Sequence, residues 1–357
     1  MKKAISVILS LILIFSLVAC GTGEEQTTAT SEDNSKKVAL ICNTGGLGDK
    51  SFNDSGYRGL ERAKEELGIE FTVVEPTEVS QGETYLRQFA DAGYGAVISL
   101  EYPHAEILKT LADEYPKTVF CATDQVVDND KVVSVIFDYN MSSYLAGVAS
   151  AMIASGDYNI IDGVATHGND TIGVICALES DGFHHFTEAF TQGATAANPD
   201  ITVLYDWSVG FTDTQLSKQI ADNMFKNQNA DVVYQVCGLA GLGIFQAAKE
   251  NKCLAIGVDS DQDYLEPGTI LTSVVKEVDT AVFKICEQLQ AGTLKGGTMT
   301  LTLGDGTEIT NMSTIAQYVT NQEAFDAVVA AVEKARQDII SGKIKVVSGQ
   351  NGERFEG

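Results

Sequence analysis

From residue 38 onward, short β-branched apolar runs alternate with longer amphipathic segments, and this alternation admits few folds. The runs lie at residues 38–42, 71–75, 96–100, 118–122 and 132–137, then 171–176, 201–205, 231–236, 253–257 and 270–275. Most are continuously apolar, as parallel strands covered on both faces must be. Between them, Tyr57, Leu60, Ala63 and Leu67 recur at helical spacing behind Asn53 or Asp54 as a cap. Ser80-Gln81-Gly82-Glu83 reads as a capping box, and Thr212-Asp213-Thr214-Gln215 as a second. The pattern predicts an α/β protein built on doubly wound parallel sheets.

Ten strands exceed one ordinary sheet, so two lobes of about five strands each are expected, with the break near Asp138-Tyr139-Asn140. The expected division gives lobe 1 residues 37–138 plus about 259–276, and lobe 2 residues 139–258 plus about 277–345, with a tail at 346–357. Residues 299–303 and 308–310 around Gly304-Asp305-Gly306 read as a hairpin. A last helix is expected over about 322–340, with Phe325, Val328, Val329 and Val332 on one face.

The amino terminus carries a separate signal. Lys2 and Lys3 precede an apolar stretch over residues 4–18, short for a bilayer span. It ends in Leu17-Val18-Ala19-Cys20-Gly21, which resembles a bacterial lipobox. The resemblance implies a signal peptide at 1–19, cleavage before Cys20, and lipidation of its sulfur. Two or more acyl chains anchor a domain stably, at about 0.8 kcal/mol per buried CH₂. Residues 20–36 then form a Thr/Ser/Glu-rich linker with a reach of about 20 Å. The resemblance thus implies that the folded part stands on the extracytoplasmic face of the cell membrane. The formal net charge of −25 argues against nucleic-acid binding and against unaided adhesion to an anionic membrane. Apart from Cys20, the cysteines Cys42, Cys121, Cys176, Cys237, Cys253 and Cys286 are dispersed among apolar runs and read as buried free thiols.

Ligands of open parallel sheets bind beyond the carboxyl ends of the strands. Those positions hold Asn43 and a loop through Asp49, Phe52 and Asn53, then Thr123-Asp124, Cys237-Gly238, Val258-Asp259 and Lys276. Gly45-Gly46-Leu47-Gly48 lacks the spacing of a dinucleotide or phosphate loop, and Asp49 beside it would repel a phosphate. Phe52 is either a stacking platform or a hydrophobic staple on the following helix. Asp49 could simply form the loop, Asp124 cap a turn, Asp259 serve a hinge, Lys276 lie on the surface and Phe211 belong to the core.

Asp49-Lys50-Ser51-Phe52-Asn53 after an apolar strand and a glycine loop resembles the signature of the basic membrane protein family, the PnrA-like branch of ABC-transporter purine nucleoside receptors. Residues 144–152, Gly210-Phe211-Thr212-Asp213, and the stretches 236–243, 257–262 and 272–276 resemble further blocks of that family. The resemblance implies a type I periplasmic-binding-protein-like fold and a monomer that captures inosine, guanosine or adenosine between its lobes and delivers it to an ABC permease. It implies Phe52 and Phe211 sandwiching the base, Asp124 and Asn43 at the base edge, and Asp259 and Lys276 on the ribose, with Asp49, Asn53 and Gly238 nearby. No cofactor is implied. Asp181-Gly182-Phe183-His184-His185-Phe186 departs from the family pattern, so these histidines could alter ligand preference if they face the cleft. Trp207 could rival Phe211 as the stacking ring.

Another solute such as a sugar would suit the same fold, and a surface lipoprotein with an adhesive or structural role is a third reading. An enzyme is not expected: no nucleophile elbow or HExxH zinc motif occurs. Adjacent His184 and His185, with distant His104 and His167, do not make a metal site.

Overall fold

The computed structural model describes residues 33–357, so the leader, Cys20 and most of the linker lie outside the described residues. The first lobe is laid down by β1 (Val38–Ile41), α1 (Phe52–Leu67), β2 (Phe71–Val74), α2 (Ser80–Asp91), β3 (Ala96–Ser99), α3 (Ala105–Glu114), β4 (Val119–Thr123) and β5 (Val133–Phe137). The chain then crosses into α4 (Tyr139–Ala154), β6 (Thr171–Cys176), α5 (Asp181–Ala197), β7 (Thr202–Asp206), α6 (Thr214–Asn227), β8 (Val232–Val236), α7 (Gly241–Asn251), β9 (Leu254–Asp259) and β10 (Ile270–Lys276). Last come α8 (Val278–Ala291), β11 (Gly297–Leu303), β12 (Gly306–Ile309) and α9 (Gln322–Ile340). All ten expected strands are present within a residue or two.

Two sheets result. One runs β2-β1-β3-β4-β5-β11, parallel throughout. The other runs β12-β10-β9-β8-β6-β7, parallel except for the β10–β12 pair. A short β11–β12 pairing, Thr302 with Gly306 and Leu303 with Thr307, joins them.

This pairing corrects the expected lobe boundaries. Residues 259–276 do not return to lobe 1: β10 pairs with β9, Val274 opposite Val258, and stays in lobe 2. The chain re-enters lobe 1 with α8, which packs on α1, and with β11, which pairs with β5. The expected hairpin is also absent. β11 and β12 belong to different sheets, and Gly304-Asp305 is the third strand of the hinge beside Asp138 and Glu277. Apolar periodicity reports that a strand is buried; it carries no information about which sheet buries it.

The helices are held by close backbone approach. A methyl on Gly147 of α4 would overlap the Phe190 carbonyl of α5, and one on Gly193 of α5 would overlap the Tyr144 carbonyl of α4. α4 is accordingly buried along nearly its whole length. The Ser80 capping box does not form: Val79 precedes the helix without a side-chain cap, and Ser80 Oγ turns to Glu78. The second box is replaced by Asp213 alone, which accepts from the Gln215 and Leu216 amides. α9 spans the expected residues behind an Asn321 cap. The six described cysteines are all buried and free.

Candidate functional site

The carboxyl ends of β1, β3, β4, β8, β9 and β10 converge on a cavity of about 440 Å³ between the lobes. Of the nine expected ligand residues, Asn43, Asp49, Phe52, Asp124, Phe211, Gly238, Asp259 and Lys276 line it. Asn53 does not. It is fully buried behind the wall, where it works on Asn43.

Asn53 Oδ1 accepts the Asn43 amide at 2.9 Å, and its Nδ2 donates to Asn43 Oδ1 at 2.8 Å and to Gly46 O at 2.9 Å. The Gly45 amide also donates to Asn43 Oδ1, at 2.9 Å. With its oxygen so engaged, Asn43 presents its NH₂ donor to the cavity.

Ser51 is the N-cap residue of α1 and makes no side-chain cap bond; Asp49, two residues before it, satisfies the amides of the helix start instead. Its Oδ1 accepts from the Ser51 and Asp54 amides at 2.9 and 3.1 Å, and its Oδ2 from the Asn53 amide at 2.9 Å. Three amides at a helix start favour the carboxylate, yet burial dominates and pushes its pKa up to about 6. The expected cap residues serve otherwise: Asn53 as above, and Asp54 by accepting from the Gly48 and Lys50 amides. Phe52 is therefore the first residue of α1, positioned by Asp49, and it lines the cavity rather than acting as a staple.

Lys276, only 4% exposed, is neither a surface charge nor unpaired. Its Nζ lies 2.5 Å from Asp124 Oδ2 and 3.3 Å from Asp259 Oδ1. It also sits 4.3 Å over the Phe52 ring, 4.9 Å over Tyr139 and 5.6 Å over Phe186. Burial alone would lower its pKa, but the two carboxylates override it and hold the ammonium protonated. Burial raises the Asp124 pKa, and Lys276 opposes that shift. Asp124 Oδ1 is buried without a hydrogen-bond partner. Asp124 (φ 61°) and Asp259 (φ 63°) both adopt the left-handed conformation at the ends of their strands, a strain that turns each carboxylate inward from the sheet edge.

The lobes are brought together beside this cluster. Ser51 Oγ donates to Asp259 Oδ2 at 2.5 Å, Ser260 Oγ to Ser51 O at 3.2 Å, Arg58 Nη2 to Ser260 Oγ at 3.1 Å, and Gln262 Nε2 to Lys50 O at 3.0 Å. Phe211 Cβ would be 3.8 Å from a methyl placed on Gly45, so the lobes are closed at this point also.

Several lining residues escaped sequence reasoning: Glu101, Tyr102, Tyr139, Phe183 and Phe186. Phe183 and Phe186 lie within the aberrant Asp181–Phe186 stretch, three apart on α5, and share its cavity face. The histidines between them turn away. His184 Nδ1 lies 3.1 Å from Glu188 Oε1 and its ring packs against Trp207, while His185 bonds Ser348 O and stands edge-on to Tyr139. Trp207 stacks on Tyr205 outside the lining and does not compete with Phe211. Among the described residues, no cluster of His, Cys, Asp or Glu could hold a metal ion.

Comparison with known proteins agrees with this architecture. Residues 36–350 match the model of the Bmp family, described as "ABC transporter substrate-binding protein PnrA-like". The chain is 30% identical over 373 residues to the ABC transporter nucleoside-binding protein BmpA of Lactococcus lactis, covering 98% of this chain and 100% of that one. It is 31% identical over 310 residues to an uncharacterized lipoprotein of Pyrococcus abyssi, covering 83% and 73% respectively. Among solved structures, an ABC transporter solute-binding protein from Aeropyrum pernix superposes with a TM-score of 0.76 at 26% identity, covering 87% of this chain and 93% of that one. The chain is a non-enzymatic solute-binding protein of the ABC-transporter type, and it belongs to the Bmp family of PnrA-like substrate-binding proteins.

Proposed function

We propose that the protein captures purine nucleosides between its lobes and delivers them to an ABC importer while tethered through lipid on Cys20 to the outer face of the cytoplasmic membrane. The carrying observation is the cavity's pairing of flat apolar surfaces with unsatisfied polar groups. Phe52 from lobe 1 and Phe211 from lobe 2 line it together with Asp124, whose Oδ1 is buried without a partner. A base held between the two rings offers ring N–H donors to Asp124 and acceptors to the Asn43 amide. Lys276 and Asp259 continue the polar cluster from Asp124, with Lys276 Nζ 2.5 Å from Asp124 Oδ2 and 3.3 Å from Asp259 Oδ1, and suit ribose hydroxyls beside the base. The nucleoside-binding relative supports the ligand class, and the lipoprotein relative supports the anchor. Because ligand contacts both lobes only in the closed form, binding favours closure, and the closed form is what a permease can distinguish.

Isothermal titration with inosine, guanosine and adenosine tests this directly. Heat with any of them, and a matching rise in melting temperature, is expected. Silence with all three, or a response to ribose or galactose alone, would assign the cleft to another solute. Mass spectrometry of the full-length protein from membranes should find Cys20 acylated at a new amino terminus.

A further inference from the structure

One cavity carboxylate has no role in the reading above. Glu101 follows β3, is 5% exposed, and lines the cleft. In the sheet order β1-β3-β4 it stands between Asn43, which follows β1, and Asp124, which follows β4. At the usual strand spacing these three residues span about 10 Å, the long edge of a purine with a hydrogen bond at each end.

Glu101 is held rigidly. Its amide donates to Ser99 Oγ at 3.2 Å, its carbonyl accepts from Gln125 Nε2 at 3.2 Å, and its Oε2 accepts from the Thr44 amide at 3.0 Å. Capping Thr44 needs one oxygen, which a neutral glutamine would supply equally well. A buried carboxylate is costly unless it is paired or well hydrogen-bonded. Yet among the described residues no cation pairs with Glu101, whereas Lys276 serves Asp124. Burial raises the Glu101 pKa, and the Thr44 and Tyr102 amides only partly offset this. The edge therefore offers donor, acceptor, acceptor: Asn43 NH₂, the Glu101 carboxylate, and Asp124 Oδ1.

We infer that Glu101 is a specificity-determining residue that accepts a hydrogen bond from the exocyclic amino group of the base. The site accordingly favours amino-bearing purine nucleosides over those lacking that group. This inference rests on the nucleoside reading and narrows it. A ligand without the amino group leaves a desolvated carboxylate unpaired, a loss larger than that of an ordinary hydrogen bond.

The test uses two pairs of nucleosides, each differing by one amino group: guanosine with inosine, and adenosine with purine riboside. Titration calorimetry on the wild-type protein should give at least about a tenfold tighter Kd for the amino-bearing member of one pair. In E101Q, the amide oxygen can still accept from Thr44 while the NH₂ faces the cavity and meets the ligand amino group donor to donor. The preference should then collapse or invert, with inosine gaining relative to guanosine. Equal affinities within both wild-type pairs would overturn the inference, as would a preference that survives E101Q. Should E101Q fail to fold, Glu101→Asp, which keeps the charge but withdraws the carboxylate, should reduce the wild-type preference within the pairs, and a preference left intact would overturn the inference. Absence of binding by all four nucleosides would instead defeat the nucleoside reading itself.

Discussion

At the scale of residues, the site is a set of charges and rings each held by a local device. Phe52 stands at the first position of α1 because Asp49 satisfies the amides of that helix start. Stacking of a base on an aromatic ring contributes about 1–3 kcal/mol. Phe52→Ala should therefore weaken nucleoside binding by about five- to 150-fold by calorimetry, and an unchanged Kd would remove Phe52 from the site. Asp49 yields a pH prediction with a definite sign. Its folded pKa of about 6 lies above the ordinary 3.8, so the folded state holds the proton more tightly than the unfolded chain. Its contribution to stability is thus greatest below pH 4, falls between about pH 4 and 6, and costs about 3 kcal/mol above that. The melting-temperature difference between wild type and Asp49→Asn should turn against the wild type as pH rises through that window, then level off. A difference flat from pH 4 to 7 would contradict the burial argument. Most of these residues were legible because a strand's carboxyl end is a fixed address. The same rule applied to β3 would have found Glu101, directly after its apolar run. Tyr139, Phe183 and Phe186 were not legible, because each stands on a helix whose cavity face is defined only by the opposing lobe.

At the scale of elements, close packing of α4 on α5 shows how backbone contact outweighs propensity. Alanine at Gly147 would gain about 1 kcal/mol of helix propensity. The added methyl would overlap the Phe190 carbonyl, and such overpacking costs about 1–3 kcal/mol or more when the obstacle is backbone. Gly147→Ala should lower stability to urea, with the change appearing in the midpoint rather than the slope. A stabilised variant would show that the helices can move apart freely. Capping followed the same logic. The boxes at Ser80 and Thr212 match the sequence signature, but α2 forms without its cap and Asp213 alone caps α6. A capping motif states what a side chain can do; competing local acceptors decide whether it does so.

At the scale of the whole molecule, three crossings at Asp138, Glu277 and Gly304-Asp305 join the lobes, and a small set of polar contacts closes them. Ser260 makes two of these, donating to Ser51 O and accepting from Arg58. Each such bond contributes about 1 kcal/mol net. Ser260→Ala should shift the ligand-free equilibrium toward open forms by roughly five- to thirtyfold. Small-angle scattering would show this as a larger radius of gyration, restored by saturating ligand. Identical ligand-free scattering curves would mean that these contacts do not govern closure.

The sequence by itself determined the inventory of strands and helices, the α/β class, the presence of two lobes, and the strand ends at which chemistry collects. Those features are encoded locally, because apolar periodicity and strand polarity need only a few neighbouring residues. Only the tertiary structure decided that β10 stays beside β9, that α8 and β11 return to lobe 1, and that β11 and β12 part into different sheets. It also decided that Phe183 and Phe186 face the cavity while His184 and His185 do not. Such choices depend on pairing between segments far apart in the chain, where several partners satisfy the same local pattern and only the packed whole selects one.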